Sequence, residues 1–345
     1  MPASGTYSIE ASGAQGGHDD GTEGSGQTVK VIATFHQNDV IRILIGQEGQ
    51  RGSAAGAGGG GTFIVYKTYA SSNTTVELSE LENNNIIVIA GGGGAHRDAG
   101  DDLNANMHAA LAKEGNSDSE NFAGGIDGEG GSLTDCSLAD CRSGSGSSGA
   151  GYFGNGKNSD SRLPDAATGG YKSVAVSFTG GGAGGELHFD INDSTSHVIG
   201  GFGGGGAGGW GGSAGGGGYS GGAGGSNFSS VDSYGGGGGS YCKDQTDGIC
   251  TESLGLNSGH GKATITFHPA ESRSAAIGDI PQLTSEAAWL AGSVQTMATL
   301  LSDPAIDQSK LVQLPKNVAW KILTGEWKTA FLDTALAAGN STMYA

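Results

Sequence analysis

The chain predicts a mainly β protein in which strands alternate with glycine runs, either packed as helices of the polyproline II type or floppy, followed by a small C-terminal α-helical segment. Three observations predict it. Seventy of the 345 residues are glycine, gathered into runs such as Gly91–Gly94, Gly203–Gly206, Gly215–Gly218 and Gly235–Gly239. Dense β-branched clusters punctuate those runs: Val29-Lys-Val-Ile32, Val40-Ile-Arg-Ile-Leu-Ile45, Thr62-Phe-Ile-Val-Tyr66 and Ile86-Ile-Val-Ile-Ala90. Beyond residue 284 glycine thins out and apolar residues recur with helical spacing.

Residues 5–11 and 27–35 alternate apolar and polar side chains, the mark of half-buried strands. Asn38-Asp39 is a turn signal, so residues 27–46 read as a hairpin. Phe63–Tyr66 and Ile86–Ala90 form a further strand pair. Residues 95–170 are rich in Asp, Asn and Ser and read as long loops with one short helix over Leu103–Lys113. Strands are expected over Tyr171–Phe178, Glu186–Ile191 and Lys262–Phe267. Between them lies the densest glycine tract, 200–239, dotted with Phe202, Trp210, Tyr219, Phe228 and Tyr234. Trp210, Tyr219 and Tyr234 either form a ligand platform at loop tips or wedge against the glycine runs and set their register; the structural reading is preferred.

Three parts follow: a glycine-rich domain over 1–268, a linker over 269–283 and a helical tail over 284–345. In the tail, Thr284 or Ser285 caps a helix that ends before Pro304. Trp289, Trp320, Trp327 and Phe331 are the candidates for a small helical core or an assembly surface. About 60 residues is close to the lower limit for independent folding.

A glycine run has no side chains to bury, and fixing each residue costs about 1–2 kcal/mol of backbone entropy. It stays disordered or orders by backbone contact. A three-residue-per-turn glycine helix points its amides and carbonyls outward, and neighbouring helices can pair them in two dimensions. Buried amides must be paired, which requires numerous runs of matched length. Gly91, Gly92, Gly93, Gly204, Gly205, Gly216 and Gly217 are the candidate scaffold residues. Absence of a strict Gly-X-Y period, with only 6 prolines, excludes collagen.

A net charge of −18 disfavours nucleic acid and anionic membrane surfaces, both polyanions, and suits a basic partner. No apolar run is long enough to span a bilayer. The four cysteines, Cys136, Cys141, Cys242 and Cys250, are disulfide candidates. Three pairings are open, of which the local one, 136–141 with 242–250, is preferred. N-x-[ST] triplets at Asn73, Asn192, Asn227 and Asn340 are glycosylation candidates. These features favour an extracellular or cell-surface setting. No signal peptide precedes Thr6, so a mature form, a fragment or another export route is expected.

Catalytic and cofactor signatures are weak. Ile89-Ala-Gly-Gly-Gly-Gly94 lacks the Lys/Thr and the helix of a phosphate loop, and Gly144-Ser-Gly-Ser-Ser148 has no apolar strand before it. The 8 histidines are scattered singly. His18-Asp-Asp20 with Glu23, and Asp98 with Asp101, Asp102 and Asn104, are acidic loops without EF-hand spacing. No cofactor, metal or enzyme activity is expected.

The order of elements adds a resemblance. Thr6-Tyr-Ser-Ile9 precedes Gly13-Ala-Gln-Gly-Gly17, then Asp39-Val-Ile-Arg-Ile-Leu-Ile-Gly-Gln-Glu-Gly49 and Gly58-Gly-Gly-Gly-Thr-Phe-Ile-Val-Tyr66. Ile86-Ile-Val-Ile-Ala-Gly-Gly-Gly-Gly94 follows, then Gly201-Phe-Gly-Gly-Gly-Gly206, Gly215-Gly-Gly-Gly-Tyr-Ser-Gly-Gly222 and Gly259-His-Gly-Lys-Ala-Thr-Ile265. Across 5–268 this succession resembles the glycine-rich extracellular domain of the anaplastic lymphoma kinase and leukocyte tyrosine kinase receptors. The resemblance implies a β-sandwich similar to the tumour necrosis factor fold, merged with hexagonally packed glycine helices, in an extracellular module that binds a protein ligand. The expected function is therefore a non-enzymatic recognition or adhesion module that presents loops to a protein or glycan. The alternative is a self-assembling subunit of an extracellular filament or coat, with the helical tail making the subunit contacts.

Overall fold

A computed structural model describes residues 1–17, 23–52, 55–69, 74–96, 104–118, 122–133, 145–158, 172–188, 197–209, 212–225, 234–243, 250 and 253–269. The chain divides after Phe267, so all described residues except His268 and Pro269 belong to one compact unit.

That unit is mainly strand, with two principal antiparallel sheets. The first contains β1 (Gly5–Ser12), β2 (Gly26–Phe35), β11 (Ser253–Asn257) and β12 (Lys262–His268), in the order β11-β2-β1-β12. The second contains β3 (Val40–Leu44), β4 (Thr62–Tyr69), β6 (Ile86–Ala90) and β10 (Tyr241–Cys242), in the order β10-β6-β4-β3, with β5 (Thr74–Thr75) paired to β4. A small third sheet joins β7 (Lys172–Ser173), β8 (Glu186–His188) and β9 (His197–Ile199).

Alternation sends Tyr7, Ile9 and Ala11 of β1, with Val29, Val31 and Phe35 of β2, into one apolar cluster. There they meet Ile64 and Tyr66 of β4 and Ile87, Val88 and Ala90 of β6. Ile32, on the opposite face of β2, is 65% exposed. At β6 and the first part of β4 the second sheet is buried on both faces. Its far side contributes Leu44, Phe63, Val65, Ile86 and Ile89 to a second cluster, closed by Tyr152, Phe178 and Tyr219 from glycine-rich segments. Each aliphatic side chain so buried contributes about 1.5–3 kcal/mol. A bulge explains how β6 serves both clusters: Ile64 pairs with Val88 but Val65 pairs with Ile86. Ile87 is the extra residue, so Ile87 and Val88 face the same side.

Several expectations need correction. Residues 27–46 do not form a hairpin: β2 pairs with β1 and β11, whereas β3 pairs with β4. The turn at Asn38 (φ 71°) carries the chain from one sheet to the other. The Asp39 carboxylate caps it by accepting the His36 amide at 2.7 Å. Both apolar faces are needed across the inter-sheet core, and a hairpin would have placed them in one sheet. The helix expected over Leu103–Lys113 reduces, within the described residues, to one 3-10 turn at Ala105–Met107. The Ala109 amide donates to Ser25 and the Ala110 amide to Gly238, so hydrogen bonds that would have closed helical turns run sideways instead. The strand over 171–178 is assigned only at Lys172–Ser173, and in 186–191 only Glu186–His188 is described as strand. The whole helical segment, 284–345, lies outside the described residues.

Candidate functional site: a hydrogen-bonded glycine lattice

Gly91–Gly94 leaves β6 and Gly235–Gly239 leads towards β10, and every residue of these runs and of Gly215–Gly218 is buried. The segment leaving β6 shows the rule. The carbonyls of Gly91 and Gly94 accept from Gln27 and Gly24, those of Gly92 and Ala95 from Gly238 and Gly235, and those of Gly93 and His96 from Gly59 and Gly56. Residues three apart therefore address the same neighbour, and consecutive residues address three different ones. Donors keep the same period: the Gly92 amide reaches Gly217 at 2.7 Å and the Ala95 amide reaches Ala214 at 2.9 Å. A β-strand, with its period of two and neighbours on two sides only, cannot do this.

The recurrence extends outward. Gly216 and Tyr219 donate to Gly236 and Gly239; Gly236 and Gly239 donate to Ala223 and Ser220; Gly149 and Gly146 donate to Gly222 and Gly225. Hydroxyls complete the pairing at the margins. Ser240 Oγ accepts the Gly91 amide at 3.1 Å and Ser220 Oγ accepts the Gly128 amide at 3.1 Å. Thr62 Oγ1 accepts the Gly46 amide at 3.0 Å while donating to the Ser12 carbonyl at 2.6 Å. Every such bond satisfies a polar group that burial would otherwise penalise by about 1–3 kcal/mol.

This closeness is what demands glycine. A Cβ would stand 2.2 Å from the Gly238 oxygen if placed on Gly91, 2.4 Å from the Gly59 oxygen on Gly92 and 1.9 Å from the Gly24 oxygen on Gly93. The corresponding approaches are 2.1 Å to the Gly58 oxygen for Gly205, 2.1 Å to the Gly92 oxygen for Gly216 and 2.1 Å to the Gly203 oxygen for Gly217. Gly204 has a different reason: its φ of +84° lies in the left-handed region, and its nearest neighbour would be Ala150 Cβ at 3.1 Å. The structure thus brings the seven candidate scaffold glycines into one neighbourhood of paired backbone.

Of the cysteines, Cys242 and Cys250 form a buried disulfide beside the inter-sheet core. Cys136 and Cys141 lie outside the described residues, as do Asn73, Asn192, Asn227 and Asn340, and Trp289, Trp320, Trp327 and Phe331. Among the tract aromatics, Tyr219 is 1% exposed and tilts against Tyr241 at 4.8 Å between ring centroids. It wedges between lattice and sheet, so the platform reading does not apply to it. Phe202 is partly exposed and Tyr234 half-buried; Trp210 and Phe228 lie outside the described residues.

What residue patterns did not reveal is the aromatic tier: Phe63 stacks on Phe178 at 4.7 Å, Phe178 on Tyr152 at 5.4 Å. Tyr152 sits in a segment with no strand pattern, whereas Phe178 closes the strand expected over 171–178. Burial raises the Tyr152 hydroxyl well above the usual phenol range. His108 is half-buried, its imidazole Nδ1 accepts the Ser25 amide at 3.0 Å, and burial pushes its pKa below 6.5. Among the described residues no group of three His, Cys, Asp or Glu side chains is placed to hold a metal ion, and no helix is long and apolar enough to cross a membrane. Compared with known proteins, the chain matches no family model and no curated sequence.

Proposed function

We propose that this protein is a non-enzymatic extracellular recognition or adhesion module, in which packed polyglycine helices of the polyproline II type merge with a β-sandwich similar to the tumour necrosis factor fold. The observation that carries this reading is the three-residue recurrence of hydrogen bonds around Gly91–His96. Three residues per turn is the polyproline II repeat, and glycine alone allows such helices to touch. The ordered succession of motifs across 5–268 supports kinship with the glycine-rich receptor domains. The buried Cys242–Cys250 disulfide suits an oxidising compartment. A stiff lattice is a scaffold on which loops keep fixed positions, and fixed loops bind with little ordering cost.

The partner in this reading is a protein or a glycan, with a basic protein favoured by the net charge of −18. The test is a glycan array and a protein-binding screen with the intact chain, repeated with substitutions in loops and in glycine runs. Binding lost through loop substitutions in proteins that stay folded supports recognition; no saturable binder in either screen overturns it. The apolar periodicity of residues 284–345 favours a second reading, self-assembly into a filament or coat through Trp289, Trp320, Trp327 and Phe331. Light scattering before and after deletion of 284–345 separates the two: polymers that become monomers select assembly, and monomers in both cases select recognition.

A further inference from the structure

Each principal sheet has two edges, and three of the four are blunted. β10 is only 2 residues long. β11 shifts register between Ser253 and Gly255, where Gly255 takes a φ of +103°. β3 is 5 residues long and shifts register between Val40 and Ile41. Short edges and bulges discourage the approach of a foreign strand. β12 has neither device: it runs for 7 residues, with no proline and no positive φ. It pairs with β1 on one side. Among the described residues, no backbone hydrogen bond outside that ladder reaches Lys262–His268. The core is incompletely covered at the same border, because β12 and β3 flank β1 and β4, which touch across the core. Ala263 and Ile265 pack against the first cluster and Phe267 lies 4.9 Å from Tyr7 between ring centroids, so these three form the inner face of β12. Ile43 of β3 stands opposite Ile64, a member of the first cluster, and so faces inward too. Ile9, Val29 and Ile64 are fully buried, whereas Ile43 is 42% and Phe267 39% exposed.

We propose that β12 is a self-pairing edge that joins two copies of this chain into a two-fold dimer, with one sheet continuous across the boundary. A two-fold axis normal to the sheet sets the two strands antiparallel and keeps both apolar faces on one side. Residues opposite each other then share a face, so odd-numbered positions meet odd-numbered ones. Of the registers that obey this rule, the one centred on Ile265 uses the whole strand. It sets Ile265 against its own copy, Thr264 against Thr266 and Ala263 against Phe267. The smallest inner side chain thus meets the largest, and β-branched threonines meet on the outer face, a favourable cross-strand pair. Charge selects the same edge. Two chains of net charge −18 repel each other and meet best where carboxylates are missing. Neither β12 nor β3 carries an Asp or a Glu. Each copy also brings its half-covered Phe267 to the border, so apolar surface is removed from water on both sides at once.

This pairing is independent of both functional readings, since it uses neither the loops nor the segment 284–345. Sedimentation velocity of the intact chain over a concentration series tests it. The expected result is a reversible dimer with a Kd in the micromolar range, as suits a contact built on one strand pair. Thr264 and Thr266 are exposed, so their substitution spares the core. Thr264→Lys combined with Thr266→Lys sets like charges opposite each other twice across the axis and is expected to raise Kd about tenfold or more. Thr264→Glu combined with Thr266→Lys turns both contacts into opposite-charge pairs and is expected to keep Kd at or below the wild-type value. General repulsion predicts the reverse order, because the double-lysine variant has the smaller net negative charge. A chain that stays monomeric at about 100 µM overturns the proposal. Association equal in the two double variants also overturns it, by assigning the contact to another surface. If the variants do not fold, deuterium exchange of the wild-type protein decides: protection over 262–268 that grows with protein concentration supports the pairing, and protection independent of concentration overturns it.

Discussion

A Cβ placed on Gly216 would stand 2.1 Å from the carbonyl oxygen of Gly92. No rotamer relieves that contact, because Cβ is fixed by the backbone and the obstacle is backbone too. Gly216→Ala is therefore expected to destabilise the protein by about 3 kcal/mol or more, and Gly216→Val to abolish folding. Gly255→Ala is the control: its φ is +103° with nothing within 4 Å of the added carbon, so only backbone strain of about 1–2 kcal/mol is expected. Urea unfolding of the variants gives the ranking. Equal losses at the two positions would show that contact between runs is not what glycine provides.

The lattice also predicts slow amide exchange. Gly92, Gly216, Gly217, Gly236 and Gly238 each donate to another backbone carbonyl and are buried. Their exchange is expected to approach the rate set by global opening. Complete deuteration of these amides within seconds at neutral pH would mean that the runs are not packed in solution.

Cys242 and Cys250 are separated by 8 positions and close a short loop against the inter-sheet core. The double substitution to serine is expected to cost about 2.5 kcal/mol through the freed loop, with a further loss from two hydroxyls placed in apolar surroundings. Denaturant titration with and without reductant checks this: the wild-type protein shifts further on reduction than the double variant does.

His108 gives a pH dependence of known sign. Burial favours its neutral form, so the folded state binds a proton less readily than the unfolded one. Its contribution is fully present above the unfolded value of 6.5 and is lost as pH falls through the lowered folded value. Protonation also removes the acceptor for the Ser25 amide. Thermal midpoints at pH 7 and pH 5 are expected to fall further for the wild-type protein than for His108→Gln. The same slope in both proteins would remove His108 from the account.

Much of this architecture was legible where periodicity was strong. The alternation in β1 and β2 and the run in β6 marked strands correctly, because one or both faces of each are buried and the side chains had to match. The glycine runs left disorder and mutual backbone pairing both open, and their number and similar length suited the second. Pairing partners were not legible. Phe35 and Val40 flank an ordinary turn, and nothing local distinguishes a hairpin from a crossing between two sheets; that choice is made by β1, which takes β2, and by β4, which takes β3. Residues 103–113 look helical by composition, but Ser25 and Gly238 accept the amides of Ala109 and Ala110 that a helix needs. The role of Tyr152 depends on three partners that no spacing links.

A pleated sheet can be peeled from its border, one bond at a time. The segment after β6 has no border: its carbonyls are engaged from three directions by the segments around Gly24–Gln27, Gly56–Gly59 and Gly235–Gly238. Tension along that segment must shear all three contacts together rather than unzip any one. A molecule hung between two attachments would thus yield first in its connecting loops, and its interior would stay whole under a pull that opens ordinary hairpins.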